Sequence, residues 1–268
     1  MGQHPLHMSP LQSPRPAPRS AARSGPRTPD RRWDKAGAAA LFVLLALIAV
    51  QCVRLGAAGR YVQLAQDEVD RWSPASQPPR PAQVRRAAEY FLDSLGFAAE
   101  DPWAQEGLGT LDLARMRAST VPREAQTFAL DARVRFRQAI LQRPTSPFLW
   151  ANLALTKLYL DQIDGELFAA LRQAEALGPW EPTVQQTALF VGLAAWRDLD
   201  PELRQALLQT IERGATRNPQ QLFAIVKSYR RFDLVCAIEE YQRIAGPDCS
   251  KYAAAAASGD PTGQGVRR

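Results

Sequence analysis

One run constrains this chain before anything else. From Ala36 to Val53 no residue is charged, and Gln51 is the only strongly polar side chain. Eighteen residues at about 1.5 Å rise give a helix of about 27 Å, close to the hydrocarbon thickness of a bilayer. A buried core helix of that length would carry polar residues at intervals on one face, and Leu41–Val50 carries none. The run therefore predicts a membrane-spanning helix. A cleaved signal peptide fits less well, because the stretch before the run is itself longer than the roughly 15–30 residues of a whole signal. Cys52 follows "AVQ", without the small residue expected before a lipidated cysteine.

The flanks set an orientation. Residues 1–30 hold seven prolines and almost no large apolar residue, so a disordered tail is expected. Seven Lys/Arg precede the span, against Arg54, Arg60 and Arg71 in the stretch after it. The positive-inside rule then leaves the N-terminus in the cytoplasm and the body across the membrane, in the periplasm if the membrane is a bacterial inner one. The net charge of +6 belongs to this region. Residues 1–60 hold nine basic and two acidic residues, and the remainder holds 24 and 25. A neutral body without a basic run is not a nucleic-acid module.

The body reads as all-α. "WSPASQPPRPAQ" is a linker with four prolines, and Pro81 suits a first helical turn. Asp101 and Pro102 are placed as N-cap and first residue of the next helix. Stripes follow at helical spacing: Val84, Ala88, Phe91, Leu95; Ala125, Phe128, Ala132, Phe136, Ala139; Phe148, Ala151, Leu155, Leu158; Leu167, Leu171, Ala174, Leu177; Val184, Ala188, Val191, Ala195; Leu203, Leu207, Ile211.

The chain also repeats. "RQAILQRPTSPFLWANLAL" at Arg137–Leu155 aligns with "RQAEALGPWEPTVQQTALF" at Arg172–Phe190, shifted by 35, and "TRNPQQLFAIV" is a weaker third copy. A period near 34 with two helices per unit is the tetratricopeptide (TPR) signature. Trp150, Leu153 and Ala154 keep its W-x2-L-G spacing with Ala for Gly, although the small–aromatic pair of its second helix is poorly kept. The expected fold is a TPR-like α-solenoid of helical hairpins behind one transmembrane helix. The expected segments are 1–35 tail, 36–55 transmembrane helix, 56–82 stalk and linker, 83–246 repeat domain and 247–268 flexible C-terminal tail.

"LGPWEPTVQQ" at Leu177–Gln186 interrupts this helical pattern. Gly178 is expected to end one helix at positive φ, Pro179 to stop it, and Trp180 to be buried over the junction between repeats. Glu181 meets a helix N-terminus and Pro182 suits its first position. A corner needs no catalytic role for any of them.

The body lacks much catalytic chemistry. His4 and His7 are the only histidines and both lie in the tail, so no imidazole base or histidine ligand is available to the body. No phosphate-binding glycine loop or CxxC motif occurs. No cofactor and no metal site is expected. Paired carboxylates remain available for glycoside chemistry. In an oxidising compartment Cys236 and Cys249 would pair and pin the last helix, whereas in a reducing one they would stay thiols; pairing is the expectation for a periplasmic body.

"RPTSPFLWANLAL", "LGPWEPTVQ", "GLAAW" and "LVC", behind one N-terminal membrane helix, resemble the VpsP family of bacterial exopolysaccharide biosynthesis proteins. The resemblance runs from about Trp72 to Cys236, and "LGPWEP" is its most specific part. It implies a role in synthesis or export of a biofilm exopolysaccharide at the inner membrane, with other membrane components of that machinery as partners. It carries over no catalytic residue. Trp150, Asn152, Trp180, Glu181, Pro182 and Gln185 transfer only as motif positions. The basic tail is longer than the family leads one to expect.

The expected function is thus a non-catalytic membrane-anchored scaffold, since stacked helix pairs present extended binding surfaces. Asn152, near the middle of a first helix, is the candidate partner-binding residue, against internal satisfaction of its amide. The alternatives are a carbohydrate-active enzyme with two carboxylates in one cleft, or direct glycan binding through Trp72, Trp103 and Trp196. For those three tryptophans core packing is the expectation.

Overall fold

The computed structural model describes residues 31–72 and 80–257. The expected disordered tail at 1–30 and most of the proline linker lie outside the described residues. Ten α-helices follow in order: α1 Arg31–Asp70, α2 Pro81–Phe97, α3 Pro102–Ala118, α4 Pro122–Gln142, α5 Pro147–Tyr159, α6 Gly165–Leu177, α7 Pro182–Ala194, α8 Pro201–Arg217, α9 Pro219–Ser228 and α10 Glu239–Ala257, with one 3₁₀ turn at Phe232–Leu234. Among the described residues there is no strand. Seven of these helices begin on a proline. Proline's missing N–H costs nothing in a first turn, and its ring prevents the preceding helix from running on.

The chain divides into two units at Val50 and Gln51. The first contains the apolar part of α1. Its large side chains stand exposed, Phe42 at 74% and Leu47 at 60%. A window of this helix with mean hydropathy 2.5 has none of its residues buried, so the helix is long and apolar enough to cross a membrane.

The second unit begins earlier than the sequence reading placed it. α1 continues through the stretch assigned to a stalk: Ala58 is buried, and Val62 and Ala65 join Val84, Ala88 and Phe91 of α2 and Leu108 of α3 in one core cluster. The C-terminal part of α1 therefore contributes to the first core cluster of the body. A second core cluster joins Phe136, Leu149, Leu153, Leu167, Leu171 and Leu203 across α4–α8, and a third joins Leu189, Ile211, Leu222, Val226 and Tyr241 across α7–α10. From α2 to α9 each helix packs on the next. α5, α7 and α9 also pack in one row, and α6 and α8 in another.

The 35-residue recurrence reappears as geometry. Ser146 N–H donates to Arg143 O and Glu181 N–H to Gly178 O, both at 3.2 Å. One turn later, Trp150 Nε1 donates to Pro144 O at 2.7 Å and Gln185 Nε2 to Pro179 O at 2.8 Å. An indole and an amide thus tie down the same carbonyl at equivalent corners. Arg137 reaches Glu166 at the start of α6, and its repeat equivalent Arg172 reaches Asp200 at the start of α8.

The α5–α6 hairpin is pinned by a charge the sequence reading did not single out. Lys157 is 2% exposed, and its Nζ lies 2.6 Å from Glu166, 2.9 Å from Asp164 and 3.4 Å from Gln162 Oε1. Asp164 also caps α6, accepting from Glu166 N at 3.0 Å and Leu167 N at 3.1 Å. Hydrogen bonds from Arg137, with the Lys157 ammonium behind them, hold the Glu166 carboxyl down at about 2.

α10 corrects the expected flexible tail. It runs to Ala257 with a kink at Ala245 and Pro247 inside it. Cys236 and Cys249 are disulfide-bonded, Cα atoms 5.5 Å apart. Buried Tyr241 donates its hydroxyl to Ile211 O at 3.0 Å. Of the expected tail, 258–268 lie outside the described residues.

Removing Lys157 takes a buried cation from Asp164 and Glu166, although Glu166 keeps Arg137 and Asp164 keeps its cap bonds. Lys157→Ala is expected to cost about 1–3 kcal/mol in urea unfolding, more than Lys157→Met, which keeps the apolar stem. Glu166's folded pKa lies below its unfolded value, so its contribution is present above the ordinary glutamate range and lost as pH falls toward 2. An acid titration of Glu166→Gln should lack that part of the loss.

Candidate functional site

The corner "LGPWEP" joins α6 to α7. It is closed by a steric fit that differs from the expected one. Gly178 has φ −132°, so no left-handed residue ends α6. A Cβ there would lie 2.6 Å from Pro147 Cβ, so glycine is required by the close approach of the α5 start. Pro182 is the first residue of α7, as expected. Glu181 is its exposed N-cap residue with extended backbone, φ −82° and ψ 115°, and its side chain makes no cap hydrogen bond.

Trp180 is the clear correction. It is 53% exposed and does not fill the junction. The corner is already closed by Gly178 against Pro147, so the indole turns outward. There the guanidinium carbons of Arg213 and Arg217 lie 5.9 and 5.8 Å from its ring centroid. Trp103 departs in the same way, 52% exposed with Arg143 stacked 3.5 Å from its centroid. Trp72 and Trp196 are partly buried against the core. Two expected stripe residues, Phe148 at 36% and Leu177 at 38%, also lie at the surface.

The motif residues do not converge on one site. Trp150 and Gln185 are consumed in their equivalent corner bonds. Gln185 is 1% exposed, and its Oε1 has no partner. Asn152 is half-buried on α5, and its backbone carbonyl accepts from Thr156 Oγ1 at 2.7 Å. The disulfide borders a separate open groove with Asp233, Gln242 and Tyr252.

The arrangement with most chemistry is one the sequence gave no sign of. α6 and α8 enclose a groove of about 310 Å³ lined by Arg172, Glu175, Glu202, Leu203, Gln209 and Arg213. Glu175 is 7% exposed. Its Oε2 accepts from the Thr210 hydroxyl and from Arg213 Nη2 at 3.2 Å. Arg213 Nη2 also donates to Thr210 Oγ1 at 2.7 Å, and its Nε to Pro179 O at 3.0 Å. The triad thereby ties α8 to α6 and to the corner. Oε1 of Glu175 is buried without a partner. Burial pushes this carboxyl above its ordinary range, against the opposing pull of Thr210 and Arg213. Glu175 and Thr210 lie 35 residues apart, as far as the repeat period, but Ile140 stands one repeat before Glu175, so the repeat itself gives no hint of the charge.

Glu175 and Glu202 line the same groove. Chemically it offers one carboxyl biased toward its protonated form and a second near a helix start. No group of three or more His, Cys, Asp or Glu side chains among the described residues is placed to hold a metal.

Trp180→Ala should change stability by no more than about 0.5 kcal/mol, as for a surface substitution, whereas Gly178→Ala should cost about 1–3 kcal/mol through its clash with Pro147, both read by denaturant unfolding. Glu175's folded pKa lies above its unfolded value, so its contribution is full below the ordinary glutamate range and is lost as pH rises through the folded pKa. Glu175→Gln should remove that decline and leave neutral-pH stability equal or higher. No family model, curated protein or solved structure matches this chain, so the roles of these residues rest on their geometry.

Proposed function

We propose that the protein is a non-catalytic scaffold of exopolysaccharide biosynthesis or export, anchored by α1 in a bacterial inner membrane with its body in the periplasm. The observation that carries the reading is the pairing of an apolar run in α1, none of its residues buried, with a body of consecutively packed helices. The corner bonds repeated at a spacing of 35 favour a TPR-like array, whose usual work is binding protein segments. The Cys236–Cys249 bridge suits an oxidising compartment, in keeping with the excess of basic residues before α1's apolar run. The polysaccharide assignment rests on the resemblance carried by "LGPWEP". The partners are other membrane components of that machinery, met in part through Asn152.

A second reading, a carbohydrate-active enzyme, is favoured by one observation: Glu175 and Glu202 share the α6–α8 groove. Against it, Oε2 of Glu175 is engaged by Thr210 and Arg213 and Oε1 is shut from solvent, so the carboxyl is held as a structural strut.

Deletion is expected to lower secreted exopolysaccharide while growth continues. The detergent-solubilised full chain should co-purify with another membrane component, and Asn152→Ala should weaken that capture. Capture of no component, together with sugar cleavage or transfer by the purified chain that Glu175→Gln abolishes, would replace the scaffold by the enzyme.

A further inference from the structure

Six of the twelve exposed large hydrophobic side chains described after α1 lie at alternate corners of the body. Phe97 is 38% exposed, Trp103 52%, Leu141 81%, Phe148 36%, Leu177 38% and Trp180 53%. They belong to the α2–α3, α4–α5 and α6–α7 junctions. Helices joined by short corners run back and forth, so every second corner falls on the same side.

A chain of contacts links these corners. Arg54 Nη2 donates to Phe97 O at 3.1 Å, and Tyr61 stacks on Phe97 with centroids 5.6 Å apart. Gln142 Nε2 donates to Glu100 at 3.1 Å, and Arg143 spans from the Trp103 ring to Glu106, 2.7 Å away. Gly178 rests on Pro147. Arg217 Nη1 donates to Trp180 O at 3.4 Å. The opposite corners are mixed: α5–α6 and α7–α8 carry Asp164, Asp198 and Asp200, while Val121 at α3–α4 and Tyr159 at the end of α5 are also exposed.

Arg54 identifies what this edge meets. It is the first charged residue after the apolar run, so in a spanning helix it stands at the water–lipid boundary. The α2–α3 corner is hydrogen-bonded to that residue. Tryptophan and arginine together are the side chains that settle in the headgroup layer, the ring among the glycerol groups and the guanidinium on phosphate. Of the acids at this edge, Asp101 caps α3 and accepts from Ser94, Glu100 is held by Gln142 and Glu106 by Arg143, while Glu181 beside Trp180 stands exposed.

We propose that the body lies with this edge against the bilayer, Trp103, Leu141 and Trp180 entering the headgroup layer of phospholipid. The inference rests on the reading of α1 as a membrane span and extends it: the body is held down on the lipid surface by its own corners. The exposed Trp180 of "LGPWEP" then has a task as a lipid contact.

The test uses the full chain with Cys52→Ser, reconstituted in vesicles of phosphatidylethanolamine and phosphatidylglycerol, the thiols of the disulfide being oxidised. Single cysteines are introduced at Leu141→Cys and Trp180→Cys, and at Val121→Cys as a control, since Val121 is 46% exposed at the opposite α3–α4 corner. Each carries a polarity-sensitive fluorophore, and a fraction of the lipid carries a nitroxide at the headgroup. The labels at 141 and 180 should shift to the blue and lose most of their emission, and the label at 121 should do neither. Equal, unquenched emission at all three sites in a chain that floats with the vesicles overturns the proposal and leaves the anchor standing. A label at 141 shielded from the nitroxide, together with cross-linking of the unlabelled Leu141→Cys chains to one another by a bis-maleimide, assigns the edge to a second copy and overturns it also. A chain that does not float overturns the membrane reading itself, and this inference with it.

Discussion

Proline at the first position of a helix is the constraint on which the rest of the body depends. It fixes the start of α2, α3, α4, α5, α7, α8 and α9. A ring in that position cannot accept a helical continuation from upstream, so each junction is forced into a short corner. Short corners bring the next helix back along its predecessor. The rows α5–α7–α9 and α6–α8 are the outcome, and so is the sorting of corners onto two edges. Where α6 begins without proline, Asp164 supplies the boundary by capping, and the same carboxylate holds Lys157. Boundary and tertiary pin are then one residue.

Much of this was legible in the sequence because it depends on local chemistry. Asp101 and Pro102, Pro81 and Pro182 act at their own helix starts, and those jobs need no knowledge of neighbours. Stripes such as Val184, Ala188, Val191 and Ala195 are buried as their spacing predicts. The 35-residue recurrence was legible too, but what it preserves is a bonding role filled by Trp150 in one copy and Gln185 in the next. Residue type alone would call those two positions unrelated.

The failures share a physical cause. Phe148, Leu177, Trp103 and Trp180 were assigned inward because large apolar side chains gain most from burial. Each sits in the first or last turn of a helix or in the corner between two, where periodicity no longer fixes direction and the path of the next helix decides it. Lys157 and Glu175 failed in the other direction. A charged residue in an apolar helix reads as a surface position, and only partners brought by α6 and α8 make its burial tolerable. For Lys157 a weak signal existed, since acids follow it seven and nine residues later at the next helix start. For Glu175 the partners come from α8, 35 and 38 residues on.

The corner "LGPWEP" shows how tight packing inside determines what appears outside. Gly178 is small so that α6 can end directly on Pro147, which leaves no volume behind the corner for an indole. Pro179 offers its carbonyl to both Gln185 and Arg213, and this fixes the turn from two sides. Trp180, next in the chain, is thereby directed away from the core, and Arg213 is held beside it by the bond that secures the corner. Arg213 in turn compensates Glu175 in the groove between α6 and α8. The exposed ring, the buried carboxyl and the sharp turn are therefore coupled through one guanidinium. Arg213→Ala would release all three together: the Glu175 charge would lose its opposing cation, α8 its tie to the corner, and Trp180 one of its two arginine neighbours. Substituting Trp180 touches only the last of these, which is why its exposure and the stability of the corner are separate properties of one motif.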